Sequence, residues 1–144
     1  MDVHGYGLRV TVPDGWHGAA SQRSPQDAAV LQAATVPIAD GDDTGQRTHS
    51  SMGARDIYIK VADIGPPPAH LLERDPAWSS GPALIRDVDL TTTFEGVELP
   101  VYGMRSVVMN GRAIMFFVGF GSEPSNGQLG RANAILATLR VGSG

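Results

Sequence analysis

The stretch DGDDTG at residues 40–45 holds the side chains best suited to chemistry. Four of its residues stand at the spacing of positions 1, 3, 5 and 6 of a calcium loop: Asp40, Asp42, Thr44 and Gly45. Position 12 is Ser51, where such a loop needs a bidentate Glu. Because Asp- and Gly-rich surface loops often have the same spacing, the motif by itself predicts no metal. The 40–49 loop is still where a ligand or metal site is most readily built.

The four histidines of the chain are His4, His17, His49 and His70. None stands two or four residues from another, so local spacing predicts no metal pair, although ligands also converge from distant positions. Lone surface histidines and a site assembled by folding therefore both stay open. In the second case, His49 with Asp42 is the pair that could titrate near neutral pH.

Nucleophile and phosphate-binding motifs are missing from the sequence. The segments GFGSE and HSSMG lack the G-x-S-x-G spacing of a nucleophile elbow, so Ser122 is predicted to end a strand. GYGLRV precedes a strand and GFGSEPSNG lacks the lysine of a Walker loop, so neither predicts a phosphate site. There is no cysteine either. The sequence therefore predicts no catalytic residue, no metal ligand set and no cofactor, and it leans away from an enzyme without deciding the matter.

The composition is that of an ordinary globular domain, with 42% hydrophobic and 18% charged residues in a chain of 144. We therefore predict one domain over residues 1–144. The net charge of −4 is spread evenly, without a basic stripe, which argues against nucleic acid or an anionic membrane surface as a partner. Ten of the eleven basic residues are arginines, and Lys60 is the only lysine.

Nothing in the sequence predicts a membrane anchor. The longest apolar run has about eight residues, against the ~20 that a membrane helix needs. The start, MDVHGYGLRV, lacks the basic and apolar regions of a signal peptide. If Met1 is the native start, the expected location is the cytoplasm.

Alternation of apolar and polar residues predicts half-buried strands in the first two thirds of the chain. The predicted strands cover residues 6–12, 57–61 and 88–94, and another begins at Trp16, after the turn Pro13-Asp14-Gly15. Residues 25–36 are ambiguous. Ser24, Pro25 and Asp27 form a helix start, so the local pattern predicts a helix over 25–33, whereas the following AATVPI has the composition of a strand.

The apolar stretch RSVVMNGRAIMFFVGFG, residues 105–121, predicts a β-hairpin. Its turn is Asn110-Gly111, because a type I′ turn needs positive φ at both central residues. The second strand is apolar on both faces: one carries Ile114, Phe116, Val118 and Phe120, and the other carries Met115 and Phe117. Such a strand is covered on both sides. Residues 113–120 are therefore predicted to lie centrally in a sheet with helices or irregular chain on each face.

The C-terminal part predicts a helix that begins near a capping box, Ser125 with Gln128. Its apolar residues form a single stripe: Leu129, Ala132, Ile135, Leu136 and Leu139. We expect this stripe to pack on the sheet face that carries Met115 and Phe117, or on the opposite face. The segment LRVGSG that follows has the pattern of a short last strand.

In its layout the chain resembles the Mog1/PsbP-like family, and most of all its small uncharacterised actinobacterial members. The stretches that carry the resemblance are YGLRVTVPDGW at the start and NGRAIMFFVGFG…LGRANAILATLRV at the end. The resemblance implies an α+β fold with a largely antiparallel β-sheet flanked by helices, an α/β/α sandwich. It also implies a strand over 28–36. Members of this fold mostly act by binding, and no site residue carries over to this chain.

Two functions follow as expectations. The preferred one is a non-enzymatic protein-interaction or assembly module, whose partner is another protein or a second copy of this chain. The alternative is a small-ligand- or metal-binding protein, an enzyme included, that uses the 40–49 loop. Trp16 is expected to cap the core, and Trp78 is the better interface candidate. A concave pocket with His17, His49 or His70 beside Asp42 would favour the alternative, and a flat apolar patch with Trp78 or Met104 would favour the module.

Overall fold

The computed structural model describes residues 1–42, 44–67, 82–94, 97–123 and 126–142. The first half of the chain contains β1 Asp2–Gly5, β2 Leu8–Thr11, β3 His17–Ser21, β4 Ala29–Ala34, α1 Gln46–Ser50 and β5 Ile57–Asp63. The second half contains β6 Leu90–Phe94, β7 Val97–Met109, β8 Arg112–Phe120, α2 Asn126–Leu136 and β9 Arg140–Val141. His70 and Trp78 lie outside the described residues.

Strands of the described residues form two antiparallel sheets. The larger sheet has six strands in the order β3-β4-β5-β8-β7-β6, and the smaller has three in the order β1-β2-β9. With two helices beside them, the fold is α+β and dominated by its sheets. Neither of these helices is long and apolar enough to cross a membrane.

One face of the six-stranded sheet, which we call the inner face, carries the hydrophobic core. Its side chains come from alternate positions of the central strands and are almost fully buried: Leu31, Ile57, Ile59, Val61, Ile114, Phe116, Val118 and Phe120. The small sheet packs on this face through Val3, Leu8 and Val10, and α2 packs on it through Ala132, Ile135 and Leu136. Helix α2 therefore lies opposite the face of Met115 and Phe117, which was one of the two predicted positions.

The Asn-Gly hairpin is confirmed. Asn110 and Gly111 have φ of 52° and 74°, and β7 and β8 pair in register on either side of them, with Met109 opposite Arg112. Strand β8 lies between β5 and β7, in the interior of the sheet as predicted. The two-residue turn thus places the most apolar strand of the chain where both of its edges are hydrogen-bonded.

The helix predicted over residues 25–33 is wrong. Residues 29–34 form strand β4, hydrogen-bonded to β3 on one side and β5 on the other, within the 28–36 strand that the resemblance implies. The reason is tertiary: Leu31, Ala33 and Ala34 are fully buried. Burial and pairing on two edges outweigh the weak helix propensity of an Ala-rich segment.

Two predicted strand ends are also corrected. Tyr6 lies in a tight turn with Gly7, at φ 53° and 85°, because β1 and β2 form a hairpin there, and its side chain is exposed. Val88 lies in a one-turn 3-10 helix, Asp87–Asp89, and strand β6 begins only at Leu90. The Asp89 carboxylate accepts hydrogen bonds from the backbone N–H and the guanidinium of Arg86, which holds the chain in that turn.

The face of the six-stranded sheet opposite the core is its outer face. In the described part of the chain it carries the five-residue helix α1 and the loop before it. No other described helix covers the outer face beyond α1, where Lys60, Met115 and Phe117 are half-buried and Met104 is 46% exposed. The predicted cover is therefore present on the inner face and, among the described residues, at the end of the outer face where α1 lies.

Candidate functional site

Asp42 and Thr44 lie just before helix α1, whose N-cap residue is Gly45. The carboxylate of Asp42 accepts hydrogen bonds from the Gly45 N–H at 3.1 Å, the Thr44 hydroxyl at 3.3 Å and the Thr48 N–H at 2.8 Å. Burial acts to raise the pKa of Asp42, but the hydrogen bonds from Thr48, Gly45 and Thr44 together hold it below its ordinary value. The carboxylate is thus ionised and bound to its own loop.

The calcium-loop spacing therefore has a structural explanation. Asp40 and Thr44 are exposed, whereas Asp42 is buried and its carboxylate binds the backbone at the start of α1. Within the described ranges, no group of three or more His, Asp or Glu side chains is placed to hold a metal ion. The stretch is better understood as an Asp-based start of a short helix, which is a common use of this residue type.

A buried polar chain ties this loop to the sheet. The Tyr58 hydroxyl donates to Gln32 Oε1 at 2.7 Å, and Gln32 Nε2 donates to the Asp42 carbonyl at 2.6 Å. Thr48 completes the attachment, since its hydroxyl accepts the Ala39 N–H at 2.9 Å. Burial, followed by the charge of Asp42, raises the pKa of Tyr58, so its hydroxyl stays protonated. These contacts fix the position of α1 over β4 and β5.

His49 holds α1 against the end of strand β8. Its ring lies 6.3 Å from the Tyr58 ring in a stacked arrangement and 6.0 Å from the Phe117 ring, edge to face. Its Nε2 is buried and has no hydrogen-bond partner. A Cβ at Gly119 would come within 2.9 Å of this nitrogen. Glycine at 119 is therefore what lets the histidine approach the strand backbone.

Beside His49 the outer face forms a groove with a volume of about 400 Å³. One wall comes from α1 and the residues before it: Thr44, Gly45, Gln46 and His49. The floor comes from three neighbouring strands: Tyr58, Lys60 and Ala62 of β5, Met115 and Phe117 of β8, and Met104 of β7. The floor is mostly thioether, aromatic and methyl surface, so the groove is suited to an apolar group.

One charged side chain lines the described groove. Lys60 is the single Lys, Arg, Asp or Glu among the described residues that line it. Its Nζ approaches the Thr44 carbonyl oxygen at 3.4 Å, a long and therefore weak contact. The Asp42 carboxylate is committed to the backbone of α1 and does not pair with Lys60. The groove thus combines an apolar floor with one ammonium group at its edge.

The remaining predicted candidates lie elsewhere in the described structure. His4 is exposed on β1, His17 is exposed at the start of β3, and Ser122 is exposed just after β8. Trp16 is buried in the core, as predicted. His49 and Asp42 both lie in the segment around α1, but they contact different groups and form no hydrogen bond with each other. Of the three histidines that the structure describes, the groove contains His49.

Sequence reasoning missed Lys60, Met115 and Phe117 as parts of a site. The sequence signal for these residues is the second apolar face of β8, whose pattern equally predicts a packing surface. The groove appears only once β5, β8 and β7 are aligned, because the register sets Lys60 opposite Phe117 and Phe117 opposite Met104.

Three polar groups at or beside the groove are held in structural contacts. Asp42 is bound under α1, the Nε2 of His49 packs on Gly119, and the Tyr58 hydroxyl is protonated and donates to Gln32. The arrangement can bind an apolar group and place a positive charge beside it. Comparisons with protein-family models, with curated proteins and with solved structures gave no match.

Proposed function

We propose that the protein is a non-enzymatic binding protein that holds the apolar part of a small ligand in the outer-face groove. The observation that carries the proposal is the apolar floor of the groove, where Met104, Met115 and Phe117 border a concave space on the outer face. Exposing thioether and aromatic surface to water costs free energy. A ligand that covers this surface recovers that free energy.

The size of the groove favours a small molecule. Its volume of about 400 Å³ lies in the range typical of small-molecule sites, ~300–1,000 Å³. The wall formed by residues 44–49 is also the segment that the sequence singled out as the best place for a ligand site. Because Asp42, Gln32 and Tyr58 fix this wall by buried hydrogen bonds, the groove is preformed and binding needs little reorganisation.

A protein-interaction module is the second candidate, and one observation favours it. The groove is open along one side, where the Met104 side chain is 46% exposed. Methionine adapts to different apolar partners and is frequent on surfaces that bind several of them. In this case the groove accepts an apolar side chain of another protein or of a second copy of this chain.

We also propose that the fold is the Mog1/PsbP-like α/β/α sandwich. Support comes from the antiparallel six-stranded sheet, the late Asn-Gly hairpin and the position of α2 and α1 on opposite faces of that sheet. Because one fold serves many activities, this assignment by itself indicates no ligand.

The binding proposal is tested with a neutral apolar fluorophore, N-phenyl-1-naphthylamine, titrated into the purified protein. Binding in the groove is expected to raise its emission, and Met104→Gln is expected to weaken binding about five- to tenfold because a polar amide replaces the thioether. The matched control is Ile64→Gln, since Ile64 is 44% exposed but lies outside the groove.

Equal affinities for the wild-type, M104Q and I64Q proteins would contradict a site in the groove, as would the absence of binding. Sedimentation or light scattering over a concentration series separates the second candidate. If the wild-type and I64Q proteins are dimers and the M104Q protein is a monomer, the groove serves self-association and does not bind a small ligand.

A further inference from the structure

We infer that the ligand of this groove is an amphipathic carboxylate, whose acid group binds the Lys60 ammonium while its apolar body lies over Phe117 and Met104. This inference rests on the proposed function and adds the chemical class of the ligand. Lys60 stands on the outer face of the central strand β5, opposite Gln32 of β4 and Phe117 of β8.

The other half-buried cations of the described structure each have a carboxylate partner. Arg112 Nε lies 3.1 Å from Asp63 Oδ2, and Arg105 Nε lies 3.9 Å from Asp89 Oδ2. The Arg105 guanidinium also donates to the Leu84 carbonyl at 2.9 Å. In this protein, a cation that folding withdraws from water is thus accompanied by an anion, as the cost of desolvation requires.

Lys60 differs from these two arginines, because its side chain is half-buried while the contact of its ammonium group is exposed to solvent. No described carboxylate lies within ion-pair distance of it, and its contact is the Thr44 carbonyl at 3.4 Å. An ammonium group has three N–H donors, so a single long contact with a carbonyl leaves donors that a ligand in the groove can use. A carboxylate brought by a ligand would complete a charge-assisted hydrogen bond there, as Asp63 does for Arg112.

The register sets the shape of the apolar body. Lys60, Phe117 and Met104 stand side by side on β5, β8 and β7, directly across from one another. Neighbouring strands are about 4.8 Å apart, so the row is roughly 10 Å long from the lysine to the methionine. A second row, Ala62 with Met115, widens the floor. The fitting ligand is therefore a monocarboxylate with a flexible apolar chain or a small aryl group of about that length.

The test compares decanoate with decanamide, which has the same chain and a neutral head of similar size. Each is used to displace N-phenyl-1-naphthylamine from the wild-type protein and from Lys60→Gln, Lys60→Arg and Arg131→Gln. We expect decanoate to displace the fluorophore at about fivefold lower concentration than decanamide. K60Q is expected to abolish this preference and K60R to keep part of it. R131Q removes the same unit of charge from the exposed surface of α2 and is expected to leave the preference intact.

The possible outcomes distinguish a failure of the carboxylate inference from a failure of the proposed function. If both compounds displace the fluorophore equally from the wild type, or if the preference persists in K60Q, the carboxylate inference is overturned while an apolar binding site stands. If K60Q and R131Q lose the preference for decanoate equally, the preference comes from net charge, and the carboxylate inference is overturned as well. If neither compound binds and the fluorophore does not bind either, the proposed function itself has failed.

Discussion

The two faces of the six-stranded sheet are built on different principles. On the inner face, Ile114, Phe116 and Val118 of β8 are at most 1% exposed and are covered by α2 and the small sheet. On the outer face, Met115 and Phe117 of the same strand are half-buried, beside a buried polar chain and an open groove. One strand thus supplies stability with one set of alternate residues and a binding surface with the other.

The comparison is most sharply tested by two adjacent phenylalanines. Phe116→Ala removes a side chain from the closed core and is expected to lower the free energy of unfolding by about 3–5 kcal/mol. Phe117→Ala removes the same atoms from the groove floor, where water can refill the space, and is expected to cost about 1–2 kcal/mol. Chemical denaturation of both variants measures the difference. Equal losses would mean that the outer face is as tightly packed as the inner one, and the distinction between the faces would fall.

The attachment of α1 to the outer face is tested at Gly45. This residue has φ of 82°, and a Cβ there would overlap the Tyr58 hydroxyl and ring. Gly45→Ala is therefore expected to cost about 2–3 kcal/mol, from left-handed strain together with the displacement of Tyr58.

Gly7→Ala is its matched control. Gly7 has a similar φ of 85°, but a Cβ there would meet no atom within 4 Å, so the expected cost is only about 1 kcal/mol. Thermal unfolding compares the two variants. If G7A loses as much stability as G45A, α1 does not pack on Tyr58 as described.

The polar attachment of the outer face should depend on pH. The pKa of Asp42 is lower in the folded protein than its ordinary value of 3.8, so the unfolded chain binds a proton more readily than the folded one. The stability that this carboxylate contributes is complete above about pH 5 and is lost as the pH falls through 3.8 and then through the lowered folded pKa. The inner face, being apolar, contributes no such dependence.

Asp42→Asn is expected to cost about 1–2 kcal/mol at neutral pH, because the amide keeps one acceptor oxygen and turns a donor toward the backbone N–H groups of α1. Its free energy of unfolding should also fall less steeply than that of the wild type between about pH 5 and pH 3. Urea denaturation across this range compares the two slopes. Parallel curves would show that the Asp42 carboxylate is not linked to folding.

Much of the fold could be predicted from local pattern. The Asn110-Gly111 turn, the alternation in β5 and the helical stripe of α2 each depend on neighbouring residues, and each is present, except that α2 ends at Leu136 and the last residue of the predicted stripe, Leu139, follows the helix. Strand β4 could not be predicted in this way. Its alanines have helix propensity, and only the burial of Leu31, Ala33 and Ala34 between two strands decides their conformation.

The candidate site, like the fold, could be predicted only in part from the sequence. The sequence by itself determined that residues 40–45 are rich in Asp and Gly and that β8 is apolar on both faces, because composition and period belong to contiguous residues. It did not predict helix α1 at Gln46–Ser50, in a segment that has no apolar pattern. It did not determine that Lys60, Phe117 and Met104 stand in one row, since these residues meet only through the pairing of β5, β8 and β7. That row depends on strand register, and register is a property of the folded sheet.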